Sequence, residues 1–181
     1  DYSSVFFWDF KRMDNTNYNF EVLETLCKAK KDSSNNTRCN KPIIVTIVAI
    51  IECILYDFVR RVTEHRREPI PNLDQTAVDD TRGKILDQLE PLVAHVRKNN
   101  LLRTSASDSI YDDLDHLRKV RNRIHIQNSQ QQLARDEQNI WTDSTIRMAG
   151  QALERVCEVL CHVYPRPNTD FVSITDFPRY W

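Results

Sequence analysis

Residues 43–62 read IIVTIVAIIECILYDFVRRV and form a long, strongly apolar segment of the 181-residue chain. Their apolar side chains recur at spacings of three and four residues, which is the period of an α-helix that buries one side. Asn40 is a favourable N-cap residue, and Pro42 suits a first helical turn. The segment therefore predicts one long helix over about residues 41–66.

Apolar stripes on both sides of this segment predict the remaining helices. A short amphipathic helix is expected over residues 20–31, before the long one. After it, helices are expected over about residues 77–98, with Pro91 as a kink, over 109–126 and over 143–164. The sequence thus predicts an all-α fold, a bundle of four long helices preceded by a short one.

The chain divides by composition into three parts. Residues 1–39 combine an irregular, aromatic-rich start over residues 1–19 with the short helix, and residues 40–164 hold the bundle. Residues 165–181 are punctuated by proline and rich in aromatic side chains, which predicts an extended tail. The aromatic residues at both ends are expected to cover apolar surface or to form an interface.

Composition excludes several classes of function. Only two glycines occur, which rules out glycine-dependent phosphate loops, dinucleotide-binding fingerprints and nucleophile elbows. The formal net charge of −1 gives no overall basic field, so a local cluster must recognise any anionic partner. Five cysteines without a CxxC pair are typical of a reducing compartment. Because the apolar run from Ile43 to Ile51 is too short to cross a bilayer, we expect a cytoplasmic protein with no membrane partner.

The third predicted long helix carries a polar cluster within LRKVRNRIHI, residues 117–126. On an α-helix, one face would hold the cluster's four members, at positions i, i+3, i+4 and i+7: Arg118, Arg121, Asn122 and His125. Guanidiniums hold phosphate oxygens bidentately, and an imidazole can move a proton near neutral pH. These residue types suit phosphodiester chemistry, but a solvated basic face with a helix-capping histidine has the same pattern.

The same ten residues resemble the signature of the HEPN superfamily, in which an Arg is followed after four to six residues by a His near the end of a helix. Six residues separate Arg118 from His125. The family often has a polar residue directly after its Arg, and Asn122 follows Arg121 in this way. The two family features therefore fall on different arginines. As architecture, the resemblance covers roughly residues 40–164.

The resemblance implies a metal-independent endoribonuclease of a toxin or antiviral-defence type that uses no cofactor. Such proteins act as dimers in which two Arg and His motifs line one cleft. The 2′-hydroxyl of RNA attacks the neighbouring phosphate and leaves a 2′,3′-cyclic phosphate. By resemblance, His125 would be the acid and base, Arg118 and Arg121 would bind phosphate, and Asn122 would orient the imidazole. An antitoxin or another regulatory protein is an expected partner besides RNA and a second copy of the chain.

Glu52 lies in the middle of the most apolar predicted helix, where a carboxylate needs a polar partner. Acidic residues at similar positions in HEPN domains support the motif from a neighbouring helix, so Glu52 is a candidate for that role. A bond to another polar group, or contact with solvent, is the alternative. Cys157 and Cys161 share one helical face, but a zinc site would need two further ligands, so no metal is expected.

Two other functions are alternatives to RNA cleavage. Some HEPN members are inactive, and by resemblance this chain would then be a non-catalytic module for dimerisation and for binding RNA or protein. The second alternative is an unrelated helical interaction domain. A ribonuclease should lose cleavage when the cluster is mutated, whereas a binding module has no cleavage to lose.

Overall fold

The structure is a computed structural model that describes residues 6–7, 9–32, 36–64, 70–105, 108–125 and 136–166. These residues form six α-helices and two short 3-10 helices, with no β-strand among them. The α-helices are α1 (Phe10–Asp32), α2 (Asn40–Glu64), α3 (Gln75–Thr81), α4 (Leu89–Lys98), α5 (Ile110–Asn122) and α6 (Asp143–His162), and the 3-10 helices are Asn36–Cys39 and Glu137–Asn139. The predicted all-α fold is confirmed.

The long helix α2 lies at the centre of the bundle. It contacts each of the other five α-helices, and its periodic apolar side chains are buried against them. Ile47, Ile51 and Leu55 are each no more than 1% exposed. The predicted long helix is therefore confirmed, with a start at Asn40, one residue earlier than expected; residues 65 and 66 of the expected helix lie outside the described residues.

Helices α2 and α6 run parallel and are tied together near both ends by polar side chains of α2. At one end, the Asn40 amide donates a hydrogen bond to a carboxylate oxygen of Asp143 at 3.0 Å. At the other end, the fully buried Arg61 donates to the carbonyl oxygens of Tyr164 at 2.8 Å and Pro165 at 3.0 Å. Asn40 and Asp143 are 103 residues apart in sequence, as are Arg61 and Tyr164, so the two helices stay level along their length.

The N-terminal helix begins earlier than predicted. Residues 10–19, expected to be irregular, form the first turns of α1. The Arg12 guanidinium pairs with the buried Asp57 of α2 at 2.8 Å, and the Thr16 hydroxyl donates to the Cys53 sulfur at 3.4 Å. These polar contacts hold the first turns of α1 against α2 without the apolar stripe on which the prediction relied.

The prediction of a single helix over residues 77–98 is wrong, because two helices, α3 and α4, occupy this part of the chain. Gly83 follows α3 with a φ of +77°, a left-handed conformation that interrupts helical hydrogen bonding. Pro91 lies in the first turn of α4, where the helix needs no amide donor, and so it does not form the predicted kink. Ile85, in the link between the two helices, is 85% exposed.

Several predicted boundaries can be compared with the structure. Helix α6 matches the prediction for residues 143–164 to within two residues, whereas α5 ends at Asn122 and not near 126. Asn40 is the first residue of α2, and its side-chain amide donates a hydrogen bond to Asp143 of α6. Residues 167–181 of the predicted tail lie outside the described residues.

One helical segment, Thr37–Glu64, is long and apolar enough to cross a membrane by length and composition. The apolar run from Ile43 to Ile51, which is too short to cross a bilayer, is only part of this longer segment. In the structure, 61% of the apolar window is buried inside the bundle. Since the core helix of a bundle meets the same criteria, the segment is weak evidence for a membrane span.

A buried polar cluster joins α3 to α4. His95 is 4% exposed, its Nε2 lies 2.8 Å from the Thr81 hydroxyl, and its Nδ1 lies 3.5 Å from an Asp80 carboxylate oxygen. Burial lowers the pKa of His95 below its ordinary value of 6.5, and the charges of Lys84 and Lys98 act in the same direction, although Asp80 opposes them. The folded protein therefore favours neutral His95.

We expect the protein to lose stability as the pH falls below about 6.5, because the unfolded chain then binds a proton that buried His95 resists. Urea unfolding at several values between about pH 7.5 and 5.5 measures this loss. It should be smaller in His95→Gln. His162→Gln, which changes an exposed histidine, should retain the wild-type pH dependence. If the free energy of unfolding of His95→Gln fell with pH as steeply as that of the wild type, His95 would not be the source of the pH dependence.

Replacing Arg61 by Ala should remove the donor of two carbonyl oxygens and open a cavity in the bundle. We expect the free energy of unfolding to fall by about 2–4 kcal/mol, as measured by denaturant titration. The matched control is Arg60→Ala. The Arg60 side chain is 42% exposed and pairs with Glu64 on its own helix, so its loss should cost less than about 1 kcal/mol. Equal losses in the two variants would be inconsistent with the proposed tie.

Candidate functional site

The predicted polar cluster lies beside a cavity of about 340 Å³ between α2, α4 and α5. Arg118, Arg121 and Asn122 line it from the last turns of α5. Glu52 lines it from α2, and residues 87–90 line it at the start of α4. The cavity therefore brings together four of the five residues that the sequence analysis selected for the site.

Glu52 connects two walls of this cavity. One of its carboxylate oxygens pairs with the Arg121 guanidinium, and the other accepts a hydrogen bond from the Leu89 backbone N–H at 3.1 Å. Leu89 is the first residue of α4, where the backbone N–H has no acceptor within the helix. The polar partners that Glu52 requires are thus the basic cluster and the N-terminus of α4.

Arg118 is held by carboxylates on two helices. Its Nη2 and Nε lie 2.8 and 3.1 Å from Asp115 Oδ1, and its Nη1 lies 3.0 Å from Glu90 Oε2. Hydrogen bonds from Lys119 and then Arg118 lower the pKa of Asp115, so this carboxyl stays ionised. The Arg118 side chain is 14% exposed and that of Glu90 is 70% exposed. An incoming anion can therefore reach Arg118 if Glu90 turns into solvent.

His125 does not belong to the lining of the cavity, which differs from the shared face predicted by helical spacing. Helix α5 ends at Asn122 and continues as a tighter turn, in which the Ile124 N–H donates to the Arg121 carbonyl at 3.0 Å and the His125 N–H donates to the Asn122 carbonyl at 3.4 Å. Bonds between residues three apart wind the chain faster than an α-helix does. His125 is consequently exposed, about one turn beyond Asn122.

Three carboxylates of the site were not predicted from the sequence: Asp87, Glu90 and Asp115. Asp115 precedes Arg118 by three residues, a spacing that indicates an ion pair on a helix. Glu90 reaches the site because α4 begins at Leu89. Had Pro91 been interpreted as a first-turn proline, the sequence would have predicted a helix start here and placed Glu90 beside it.

The chemical capacity of the cavity follows from its lining. Two guanidiniums face three carboxylates, which belong to Glu52, Asp87 and Glu90. The cavity can thus hold a phosphate through arginine once a carboxylate gives way, and an imidazole must approach from outside the lining. In the part of the chain that the structure describes, no group of three or more His, Cys, Asp or Glu side chains is placed to hold a metal ion.

Comparisons of the chain with protein-family models, with curated proteins and with solved structures find no match. The assignment of a function therefore depends on the residues of the site. The HEPN resemblance remains a hypothesis that is specific over residues 117–126.

The Glu52–Arg121 ion pair should be measurable as an energetic coupling. A double-mutant cycle of Glu52→Gln and Arg121→Gln, followed by urea unfolding, should give about 1 kcal/mol, since the side chains are only 21% and 32% exposed. A glutamine at position 52 can still accept the hydrogen bond from the Leu89 N–H.

Arg97 and Asp112 provide the control cycle. They lie 2.7 Å apart, but their side chains are 47% and 82% exposed, so we expect a coupling close to zero. If both cycles gave the same coupling, Glu52 would have no special part in holding Arg121.

Proposed function

We propose that this protein is a metal-independent, HEPN-type endoribonuclease that cleaves RNA in a composite site between two copies of the chain. The observation that carries the proposal is the convergence of Arg118, Arg121 and Asn122 on one cavity, about one helical turn before His125. This arrangement supplies phosphate ligands and a proton-transfer group on a single segment of α5 and the turn that follows it.

The proposed roles follow from the chemistry of each side chain. The guanidiniums of Arg118 and Arg121 bind the oxygens of the scissile phosphate and stabilise the charge that develops on it. His125 takes the proton of the attacking 2′-hydroxyl or returns a proton to the leaving 5′-oxygen. Asn122 orients the imidazole. Glu52 is a positioning residue that acts through Arg121, because its carboxylate binds that guanidinium.

One feature supports a composite site, and a second supports the access of a phosphate to Arg118. His125 is exposed and lies outside the cavity of its own chain, so the imidazole is accessible to a second copy. Glu90 is the most exposed of the partners of Arg118, and its displacement by a phosphate frees one edge of the guanidinium. We propose a toxin or antiviral-defence enzyme of the cytoplasm that acts on RNA and is restrained by an antitoxin or another regulatory protein.

The test is incubation of the purified protein with structured and single-stranded RNA in excess EDTA. We expect cleavage that leaves 2′,3′-cyclic phosphate ends, and we expect His125→Ala to reduce its rate by about 10²–10⁴-fold. His116→Ala, which changes an exposed histidine elsewhere on α5, is the matched control and should retain activity. Circular dichroism verifies that each variant is folded.

Cleavage that persists unchanged in folded His125→Ala would contradict the assigned role of His125. Cleavage that requires a divalent metal ion would contradict the proposed class of enzyme. Mixing His125→Ala with Arg121→Ala tests the composite site, because a mixed dimer retains one intact pairing if the two residues come from different chains.

A second candidate function is a non-catalytic module for dimerisation and RNA or protein binding. The observation in its favour is that both guanidiniums of the cavity are already paired, Arg118 with Glu90 and Asp115 and Arg121 with Glu52. Guanidiniums that are paired with carboxylates are also what a structural junction between helices requires. RNA binding or dimerisation without cleavage over a broad panel of RNAs would favour this candidate.

A further inference from the structure

A second and larger cavity, of about 920 Å³, lies where α2 and α6 begin. Its charged lining residues are three basic side chains, Arg38, Lys41 and Arg147, and one acidic side chain, Asp143. The cavity beside Arg118 has the opposite balance, since acidic groups outnumber basic ones there. The lining of the larger cavity is therefore cationic in a chain whose formal net charge is −1.

The one carboxylate in the lining is already neutralised. Asp143 Oδ1 lies 2.5 Å from the Lys30 ammonium and 3.0 Å from the Asn40 amide, and these bonds lower the pKa of Asp143. The negative charge of Asp143 is thus compensated by Lys30 of α1 and by the Asn40 amide of α2. Arg38 and Arg147 are both exposed, and within the described residues neither side chain has a hydrogen bond.

The aromatic ring of Trp141 forms part of the cavity wall beside these basic side chains. Trp141 lines the cavity but is only 6% exposed, and the Lys41 ammonium lies 5.2 Å from the centre of its ring. The backbone carbonyl of Trp141 accepts the Asn40 amide at 2.8 Å, which fixes the segment before α6 on α2. The indole N–H of Trp141 is buried without an acceptor among the described residues. Trp141 therefore gives the cavity an aromatic wall that is fixed to α2.

The remaining lining residues are neutral and polar, and they add amide and hydroxyl groups around the cations: Thr37, Gln138, Asn139, Thr142 and Ser144. Thr142 caps α6 by accepting the Thr145 N–H at 3.2 Å, and its hydroxyl lies 2.7 Å from that of Ser144. The end of the α6 dipole that favours an anion therefore lies beside the cavity. The volume lies within the range of cavities that hold small organic ligands and is far larger than a single phosphate ion needs.

We propose that this cavity binds a phosphate ester of nucleotide size, with Arg38 and Arg147 as the phosphate ligands and the amide and hydroxyl groups as partners of the sugar and base. The ligand is either a free nucleotide or one unit of a single-stranded RNA. The proposal stands apart from RNA cleavage, because it depends on a different cavity and is tested by binding.

Two probes distinguish the two sources, both used with the full chain at low ionic strength. One is ADP, measured by titration calorimetry. The other is a fluorescent single-stranded 2′-O-methyl oligonucleotide of about ten units, measured by anisotropy. The 2′-O-methyl group removes the attacking hydroxyl, so the proposed nuclease cannot destroy the probe.

The test variant is Arg38→Ala combined with Arg147→Ala, and Arg38→Ala alone is the milder alternative if the double variant does not fold. The control is Arg82→Ala, which removes another exposed arginine, one that lies outside the cavity and pairs with Asp79 of its neighbouring helix turn. A further variant, Arg118→Ala with Arg121→Ala, removes the other candidate phosphate ligands. We expect at least about tenfold weaker binding in the test variant and no change in the control.

Binding of ADP that depends on Arg38 and Arg147 would assign the site to free nucleotides, and binding of the oligonucleotide alone would assign it to RNA. Retention of that binding in Arg118→Ala/Arg121→Ala would separate this site from the proposed nuclease site. Equal affinity in the wild type and the Arg38/Arg147 variant would overturn the proposal. Failure of the wild type to bind either probe at about millimolar concentration would also overturn it.

Discussion

The parallel pairing of α2 with α6 is the constraint on which the rest of the structure depends. Asn40 binds the first residue of α6, Arg61 binds the segment that directly follows α6, and the apolar face of α2 between them forms much of the core. Because the two helices run in the same direction, the chain that leaves the C-terminus of α2 must return to the end of the bundle where α2 begins before α6 can start. Helices α3, α4 and α5 make that return, and α5 therefore delivers its C-terminal turns beside the middle of α2.

Glu52 is the polar residue that connects the central helix α2 to the candidate site. A carboxylate on the central helix is costly unless both oxygens are satisfied, and here one binds the N-terminus of α4 and the other binds Arg121 of α5. The same contacts stabilise the three-helix junction and orient a guanidinium toward the cavity. Stability and the arrangement of the site thus depend on one side chain, which is why its conservative replacement by Gln is more informative than truncation.

The sequence predicted the parts of the molecule that follow a regular period. The apolar spacing of α2 and α6 gave both helices, and the spacing of Arg118, Arg121 and Asn122 gave three lining residues of one cavity. The predictions from periodicity were wrong where tertiary contacts or local backbone geometry, and not the apolar spacing, determined the structure. Polar bonds to α2 extended α1, a left-handed glycine divided the helix predicted over residues 77–98, and a tightened turn moved His125 off the predicted face. Periodicity assumes one helical geometry throughout, and these are the places where that assumption does not hold.

The two ties join residues with the same sequence separation, so they fix the relative lengths of α2 and of the segment that begins with α6. Between the ties, the segment from Asn40 to Arg61 and the segment from Asp143 to Tyr164 have the same number of residues, although α6 itself ends at His162. A single insertion in one helix would rotate the far side chain by about 100° and shift it by about 1.5 Å, which would separate Arg61 from the carbonyl oxygens that it binds. Insertions and deletions in these two helices can therefore be accommodated only as matched pairs. Related chains should vary in length in the connections between helices and keep the lengths of α2 and α6 in step.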